Sequence, residues 1–512
     1  MPKKIPLISV LGAAASGALT AVAFPKFDLM FFAWISLIPL FFLLAKARPR
    51  HGLFLGWTAG AVFYAILLYW IPAVPAHYGH LPIVLSLLID ALLVLLLAST
   101  WALFGWVFAL LRARLNDAAF FAAPFLWIAL EYAVTHVLTG FPWGLLGVSQ
   151  YKNTSFIQIG AITGVYGVSF MLVLFQSYFV VSIESMKRAP FAVAAVAMAA
   201  VHLAGALAMP KPVPGPETFT AAVIQGNMSS DLSWSDMTAE RITVLFEEHM
   251  DLTRQARQAG ASLIIWPEFT VPLCFSCPDP LYVRFRSALE EFVEDSGATL
   301  VVGTNEVSGE GDQRKYFNSS LCLAPGRAVS RYAKMHLVPF GEYTPAKAVF
   351  GFVNKVTHAI GELTPGNFPA LHSFREIPFG TPICYEIVFP DLVRRFAKKG
   401  ARFLATLTND GWYGRSSAPA QHFAAAVLRA AENRRFLLRA ATTGISGIID
   451  PAGRVLARSE IGTRTFLIGD VTPSTGITFY SRYGDLFCFL GLTISGIFLI
   501  LALFRTPRKR DA

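Results

Sequence analysis

The sequence predicts an α-helical membrane bundle joined to an α/β domain outside the membrane, on three observations. Seven apolar stretches crowd the first 209 residues, a mostly polar block occupies 210–484, and one more apolar stretch precedes a basic tail. Hydrophobic residues make up 54% and charged residues 15% of the 512 positions, outside the range of ordinary soluble chains. Within the polar block, short apolar runs alternate with amphipathic stretches, as they do where a sheet is buried beneath helices.

A hydrocarbon core roughly 30 Å thick needs about 20 apolar residues as helix. The candidate spans are 5–24, 28–45, 52–72, 82–111, 118–138, 156–183, 190–209 and 485–504. The first two are short and separated only by Pro25–Phe27, so they form a tight hairpin. The stretch 82–111 counts once, because halves of about 15 residues are too short to cross. The N-terminus has the charged-then-apolar look of a signal peptide, but further spans follow at once, so it reads as an uncleaved first helix.

Charge tests the count of eight. Lys3 and Lys4, Lys46 with Arg48 and Arg50, Arg112 with Arg114, Lys187 with Arg188, and Arg505 with Arg508–Arg510 all fall on one side. By the positive-inside rule that side is the cytoplasm. The expected division is therefore 1–209 as a seven-helix region, 210–484 outside the cytoplasm, and 485–512 as the eighth helix with a cytoplasmic basic tail. The net charge of +10 belongs to these flanks, and no zinc finger, RNP motif or phosphate-cradling loop is present, which argues against nucleic acid. Asp90 and Glu131 fall inside spans, where a carboxylate is costly and faces a bundle interior or cavity. Each reads either as a headgroup or proton site, or as an acid near the interface or paired with a hydroxyl.

In the polar block, 219–226 reads as a buried strand, 237–259 as an amphipathic helix and 261–268 as a strand ending at Pro267. A helix over 279–296 and a strand over 298–307 follow, then a hairpin over 317–334 around Pro325-Gly326. The run 377–386 reads as a strand, with a helix through Lys399, a strand over 401–410, a helix over 419–440, and a turn at Asp450–Gly453.

Three chemistry-bearing residues recur at strand ends: Glu268, Lys334 and Cys384. A thiol with an ordinary pKa near 8.5 is a weak nucleophile at neutral pH unless a base or cation assists ionisation. A carboxylate can take that proton, and an ammonium can steady the thiolate and the oxyanion formed on an acyl carbon. His336, His358 and His422 are the other candidates, without a motif around them. The five cysteines also include Cys274 and Cys277, six and nine residues past Glu268. That pair reads as a local disulfide, a redox pair or a metal half-site. With no second pair zinc is excluded, and the disulfide is the plainer reading. Cys322 and Cys488 read as buried hydrophobes.

The segments Trp266-Pro267-Glu268, Lys334–Glu342, Cys384-Tyr385-Glu386 and Thr408–Trp412 resemble the nitrilase superfamily. With seven spans before them, one after, and Phe141–Gly144 in an external loop, the whole chain resembles its membrane-integrated branch, the apolipoprotein N-acyltransferases. The resemblance implies an α-β-β-α sandwich with Glu268 as general base, Cys384 as nucleophile and Lys334 as stabiliser of thiolate and oxyanion. Glu342 would position the lysine, Tyr385 and Glu386 would support the site, and Trp234, Asn409, Asp410 and Trp412 would line the substrate pocket. It implies no cofactor and no metal. The reaction implied moves an acyl chain from a membrane phospholipid, through a Cys384 thioester, to the N-terminal amine of a diacylglyceryl apolipoprotein. The enzyme would act as a monomer in the bacterial inner membrane, with its catalytic domain periplasmic and both termini cytoplasmic. The rival reading is a membrane-tethered amidase or nitrilase acting on a small amide, because the residues alone do not say whether water or an amine resolves the thioester.

Overall fold

The computed structural model describes residues 5–211, 213–228, 238–269, 274–345 and 362–505. The chain forms two compact units, one of Met1–Pro72, Val84–Met209 and Tyr483–Ala512, the other of Ala73–Ile83 and Pro210–Arg482.

The first unit is helical. Among the described residues five helices are long and apolar enough to cross a membrane: Ile83–Leu115, Ala118–Thr139, Val165–Glu184, Ala189–Ala208 and Leu486–Phe504. Leu85, Leu88, Leu92 and Leu96 on the first of these are exposed, as lipid-facing residues are. The expected span 82–111 is a single 33-residue helix. Three other expectations need correction. The span 5–24 is a 16-residue helix, Leu7–Val22, and 28–45 is broken into a 3-10 turn at Met30–Trp34 and a helix at Ile38–Lys46. The span 156–183 is interrupted at Gly164, with short turns before it and the long helix after it. Prolines and glycines inside apolar runs cause such breaks, which hydropathy alone does not register.

Close helix packing depends on small residues. The helix Pro49–Leu67 carries Gly52, Gly56 and Gly60 on one face, against Ile83–Leu115. A Cβ on Gly56 would lie 2.2 Å from the Trp101 carbonyl oxygen, so the two backbones touch where only glycine fits.

The second unit is a two-sheet sandwich. Its strands are β1 Phe219–Gln225, β2 Leu263–Ile265, β3 Thr299–Ser308, β4 Lys315–Leu323, β5 Ser330–Ala333 and β6 Leu371–Phe374. They continue with β7 Ile377–Gly380, β8 Phe403–Thr408, β9 Leu437–Ala441, β10 Gly447–Ile449, β11 Val455–Arg458 and β12 Thr465–Val471. One sheet runs β12-β1-β2-β3-β4-β5 and the other β11-β10-β9-β8-β7-β6. The central pairings β1-β2-β3 and β7-β8-β9 are parallel, flanked by antiparallel pairs. Val223, Ile265 and Val301 of one inner face pack with Phe379, Phe403 and Leu438 of the other. The opposite face of the first sheet packs on the helices Ala239–Gln258 and Pro280–Ser296, through Phe246, Trp266 and Phe285. Helices Pro390–Lys398 and Ala418–Asn433 cover the second sheet.

Two expected elements differ. The helix predicted over 419–440 ends at Asn433, where Arg434 turns left-handed (φ 50°), and 437–441 becomes the central strand β9. Its alanines and leucines suit either state, and pairing with β8 and β10 decides. The strand predicted over 377–386 stops at Gly380, and Cys384–Val388 is a 3-10 turn. Strands β6 and β12 were not anticipated.

Gly56→Leu is expected to push the two helices apart and to destabilise the protein by about 1–3 kcal/mol. Gly496→Ala, where an added Cβ meets no atom within 4 Å, is the neutral control, and thermal melts of the two variants in detergent make the comparison.

Candidate active site

Glu268 follows β2, and its approach requires a residue without a side chain on the neighbouring strand. A Cβ on Gly303 of β3 would lie 2.7 Å from Glu268 Cα. Lys334 follows β5 directly, with its backbone N–H donating to Asn318 O at 2.8 Å. The two side chains meet in a buried cluster: Lys334 is 1% exposed, Glu268 3% and Glu342 5%. Lys334 Nζ donates to Glu268 Oε1 at 3.2 Å and to Glu342 Oε1 at 2.9 Å. Asn318 Nδ2, on β4, donates to the same two oxygens at 2.7 and 2.8 Å. The remaining oxygens are also satisfied, Glu268 Oε2 by Asn409 N at 2.9 Å and Glu342 Oε2 by Val338 N at 2.8 Å. Burial alone would push the Lys334 ammonium down, but the charges of Glu268 and Glu342 raise it above its ordinary value. The amine is therefore a fixed cation.

Cys384 is buried and sits with φ 50°, a left-handed conformation costly for a residue with a Cβ and common at functional turns. Burial, with the negative charge of Glu268, pushes its thiol up, while Lys334 and a hydrogen bond from Thr408 pull it down. The resting sulfur is a protonated thiol with a carboxylate to take its proton and an ammonium to hold the resulting anion. Such an arrangement suits covalent acyl transfer. His336 is pushed down to about 4 by burial and by Lys334, so it is neutral at pH 7 and cannot supply a second cation.

Glu386, two residues on, organises the loops around the nucleophile. Its Oε1 accepts from Met335 N at 2.6 Å and His336 N at 3.0 Å, its Oε2 from Ile383 N at 2.7 Å, and the Tyr332 hydroxyl bonds to the carboxylate at 2.7 Å. Burial pushes this carboxyl up to about 7 against those donors. Tyr385 packs beside Phe389 with ring centroids 5.0 Å apart. Asn409 reaches the cluster through its backbone and Trp412 packs against Tyr78, ring centroids 4.6 Å apart, while the Tyr78 hydroxyl donates to Gly411 O at 2.8 Å. Trp234 and His358 lie outside the described residues. Asp410, expected on the pocket wall, is fully buried.

Asp410 belongs to a second network that motif reading missed. Its Oδ2 takes the Arg439 guanidinium at 2.8 Å and its Oδ1 lies 2.9 Å from His422 Nδ1. His422 Nε2–H donates to the carbonyl of Cys384 at 3.0 Å. The network thus grips the backbone of the nucleophile from below. Burial pushes the Asp410 carboxyl up, but Arg439 and His422 outweigh it and hold it at about 2. Asn318, His422 and Arg439 carry no local signal, because their partners in the site lie from 12 to 50 residues away. The expected Cys274–Cys277 disulfide is present, and among the described residues no cluster of three or more metal-binding side chains occurs.

Residues 16–178 match the family model of the apolipoprotein N-acyltransferase N-terminal domain, and residues 220–479 match that of the carbon-nitrogen hydrolases. The apolipoprotein N-acyltransferase of Geobacter metallireducens is 36% identical over 515 residues, covering 98% of this chain and 96% of that one. This chain belongs to the apolipoprotein N-acyltransferase family. The relative from Azotobacter vinelandii is 32% identical, covering 92% of this chain and 90% of its own. Among solved structures, Saccharomyces cerevisiae Nit3, of the nitrilase superfamily, is 19% identical with a TM-score of 0.39, over 50% of this chain and 90% of that one.

Arg439→Met leaves the Asp410 charge buried without its guanidinium and is expected to destabilise the fold by about 3–5 kcal/mol in thermal melts. Folded Asp410 holds its proton less tightly than the unfolded chain, whose value is near 3.8. Its stabilising contribution is therefore complete above about pH 4 and fades as pH falls towards about 2. An Asp410→Asn variant is expected to lose that acid-side slope in melts taken across this window.

Proposed function

We propose that this protein transfers an acyl chain from a membrane phospholipid to the N-terminal amine of a diacylglyceryl apolipoprotein. The observation that carries the reading is the buried ammonium of Lys334, held between Glu268 and Glu342 and close enough to Cys384 to stabilise its thiolate, in a chain whose relatives are named apolipoprotein N-acyltransferases.

In the first half-reaction Glu268 takes the proton of the Cys384 thiol as the sulfur attacks the ester carbon of the phospholipid. Lys334 stabilises the oxyanion, the C–O bond breaks, and the proton returns to the leaving alkoxide to give a lysophospholipid and a Cys384 thioester. In the second, the free amine attacks that thioester, Glu268 accepts a proton from the nitrogen, and the sulfur leaves with the proton restored. Glu342 holds Lys334 in place. Tyr385 and Glu386 support the nucleophile's turn, and Asn409 and Trp412, with Trp234, border the substrate site.

The division proposed is a seven-helix region over 1–209, a catalytic domain over 210–484 and an eighth helix with its basic tail over 485–512. The one-sided basic clusters support eight crossings, with the short helix Leu7–Val22 and the broken segment Met30–Lys46 counted among them. They likewise support a periplasmic catalytic domain on a bacterial inner membrane, with both termini cytoplasmic. Hydrolysis of a small amide is the weaker reading, since no soluble amide substrate calls for a helical membrane unit.

Intact-protein mass spectrometry after incubation with phospholipid is expected to show an acyl adduct on the peptide containing Cys384, absent in Cys384→Ser. A normal adduct on that variant removes Cys384 from the mechanism. Lys334→Met is expected to lower acylation of a diacylglyceryl peptide by at least about 10²-fold, and release of free fatty acid without peptide acylation would favour hydrolysis.

A further inference from the structure

A cavity of about 30 Å³ lies inside the helical unit, room for about two waters. Five aromatic residues, Phe63, Tyr64, Trp101, Phe104 and Trp127, line its wall. Phe63 stacks on Trp101 with centroids 5.2 Å apart, and Trp101 and Phe104 meet Trp127 edge-on at 4.9 and 5.1 Å. One carboxylate lines the cavity, that of Glu131, and no lysine or arginine does.

Glu131 is 8% exposed. Its Oε1 accepts the Trp127 indole N–H at 3.0 Å and the Leu146 backbone N–H at 2.7 Å, which ties the loop after Phe141–Gly144 to the helix Ala118–His136. A neutral amide would serve that tie equally well. The second oxygen is what the tie leaves unexplained: Oε2 accepts no well-formed hydrogen bond among the described residues. The Ser169 hydroxyl, which accepts from Gly147 N at 2.8 Å, is near enough to offer the carboxylate a weak hydrogen bond, but a neutral donor leaves the charge without a counter-ion.

A carboxylate without a counter-charge is costly in an apolar bundle, and aromatic ring faces attract cations rather than anions. Thr20 and Thr100 on the same wall donate their hydroxyl protons to Ser16 O at 2.8 Å and Leu97 O at 2.7 Å, which leaves oxygen lone pairs as acceptors. Aromatic rings, one carboxylate and hydroxyl acceptors around a space of this size match the end of an alkylammonium, which carries three donors and a full charge. We propose that this cavity binds a primary ammonium group, carried either by an amine-bearing phospholipid headgroup or by the free N-terminus of a lipidated peptide. The inference rests on the proposed membrane topology, in which Thr20, Tyr64 and Glu131 lie near the outer ends of their helices, but not on the cysteine chemistry.

The test uses full-length protein carrying Cys384→Ser, so that no turnover occurs, delipidated in detergent and examined by native mass spectrometry. One arm offers phosphatidylethanolamine against phosphatidylglycerol with the same acyl chains. The other offers a diacylglyceryl peptide with a free against an acetylated N-terminus. A preference for the amine of at least about fivefold is expected in one arm, and the arm that shows it identifies the source. Glu131→Gln, which keeps the acceptor for Leu146 and Trp127, is expected to abolish that preference without lowering the melting temperature. Should Glu131→Gln not fold, Thr100→Leu, which fills the cavity and leaves the carboxylate, is expected to give the same loss. No amine preference in either arm, or a preference that survives these substitutions, overturns the proposal. The acyl-adduct experiment on Cys384 is read separately, so failure of one leaves the other standing.

Discussion

The catalytic unit is organised around a single buried cation. Lys334 lies almost without solvent between Glu268 and Glu342, and none of the three charges is tolerable there without the others. Asn318 bonds both acids at once, so the ends of β2, β4 and β5 must converge to a fraction of an ångström. The demand extends across the sandwich. Asn409, which follows β8 of the other sheet, completes Glu268 through its backbone N–H, so the two sheets are latched at the same point that holds the charges.

The thiol adds the opposite pressure. Burial and a neighbouring carboxylate keep Cys384 protonated, while Lys334 draws it towards the anion. A site balanced this way rests as a thiol, and the acyl transfer proposed for it needs an incoming carbonyl carbon to share the charge. Holding Cys384 in a left-handed turn needs support from elsewhere, and two buried polar groups provide it. Glu386 collects backbone donors from the turn and from the loop after Lys334, and His422, set by Asp410 and Arg439, holds the Cys384 carbonyl. Neither group needs to touch substrate for its loss to matter.

The helical unit follows different rules. With no water to drive its helices together, contact depends on backbones approaching closely, hence glycines at four-residue spacing facing Trp101 and Gly105. Glu131 both pins a loop and presents an oxygen to an aromatic cavity, the kind of double role in which an expensive intramembrane acid persists.

Much of this was written in the chain itself. The apolar spans, the one-sided basic clusters, the alternation of strands and helices, and the short motifs around Glu268, Lys334 and Cys384 are local patterns, readable wherever they occur. What pattern reading misjudged was also local in cause: a run of alanines and leucines at 437–441 suits helix and strand alike, and apolar composition hides the breaks at Ser36 and Gly164. The sequence by itself determined which residues could carry the chemistry and that part of the chain is apolar enough for a membrane. Only the tertiary structure decided that Asn318 bridges two acids, that Asp410 is buried against Arg439 and His422, and that His422 holds the Cys384 backbone. The physical reason is distance along the chain: these bonds join groups from 12 to 50 residues apart, and nothing in either partner's neighbourhood specifies the other until the sheets close.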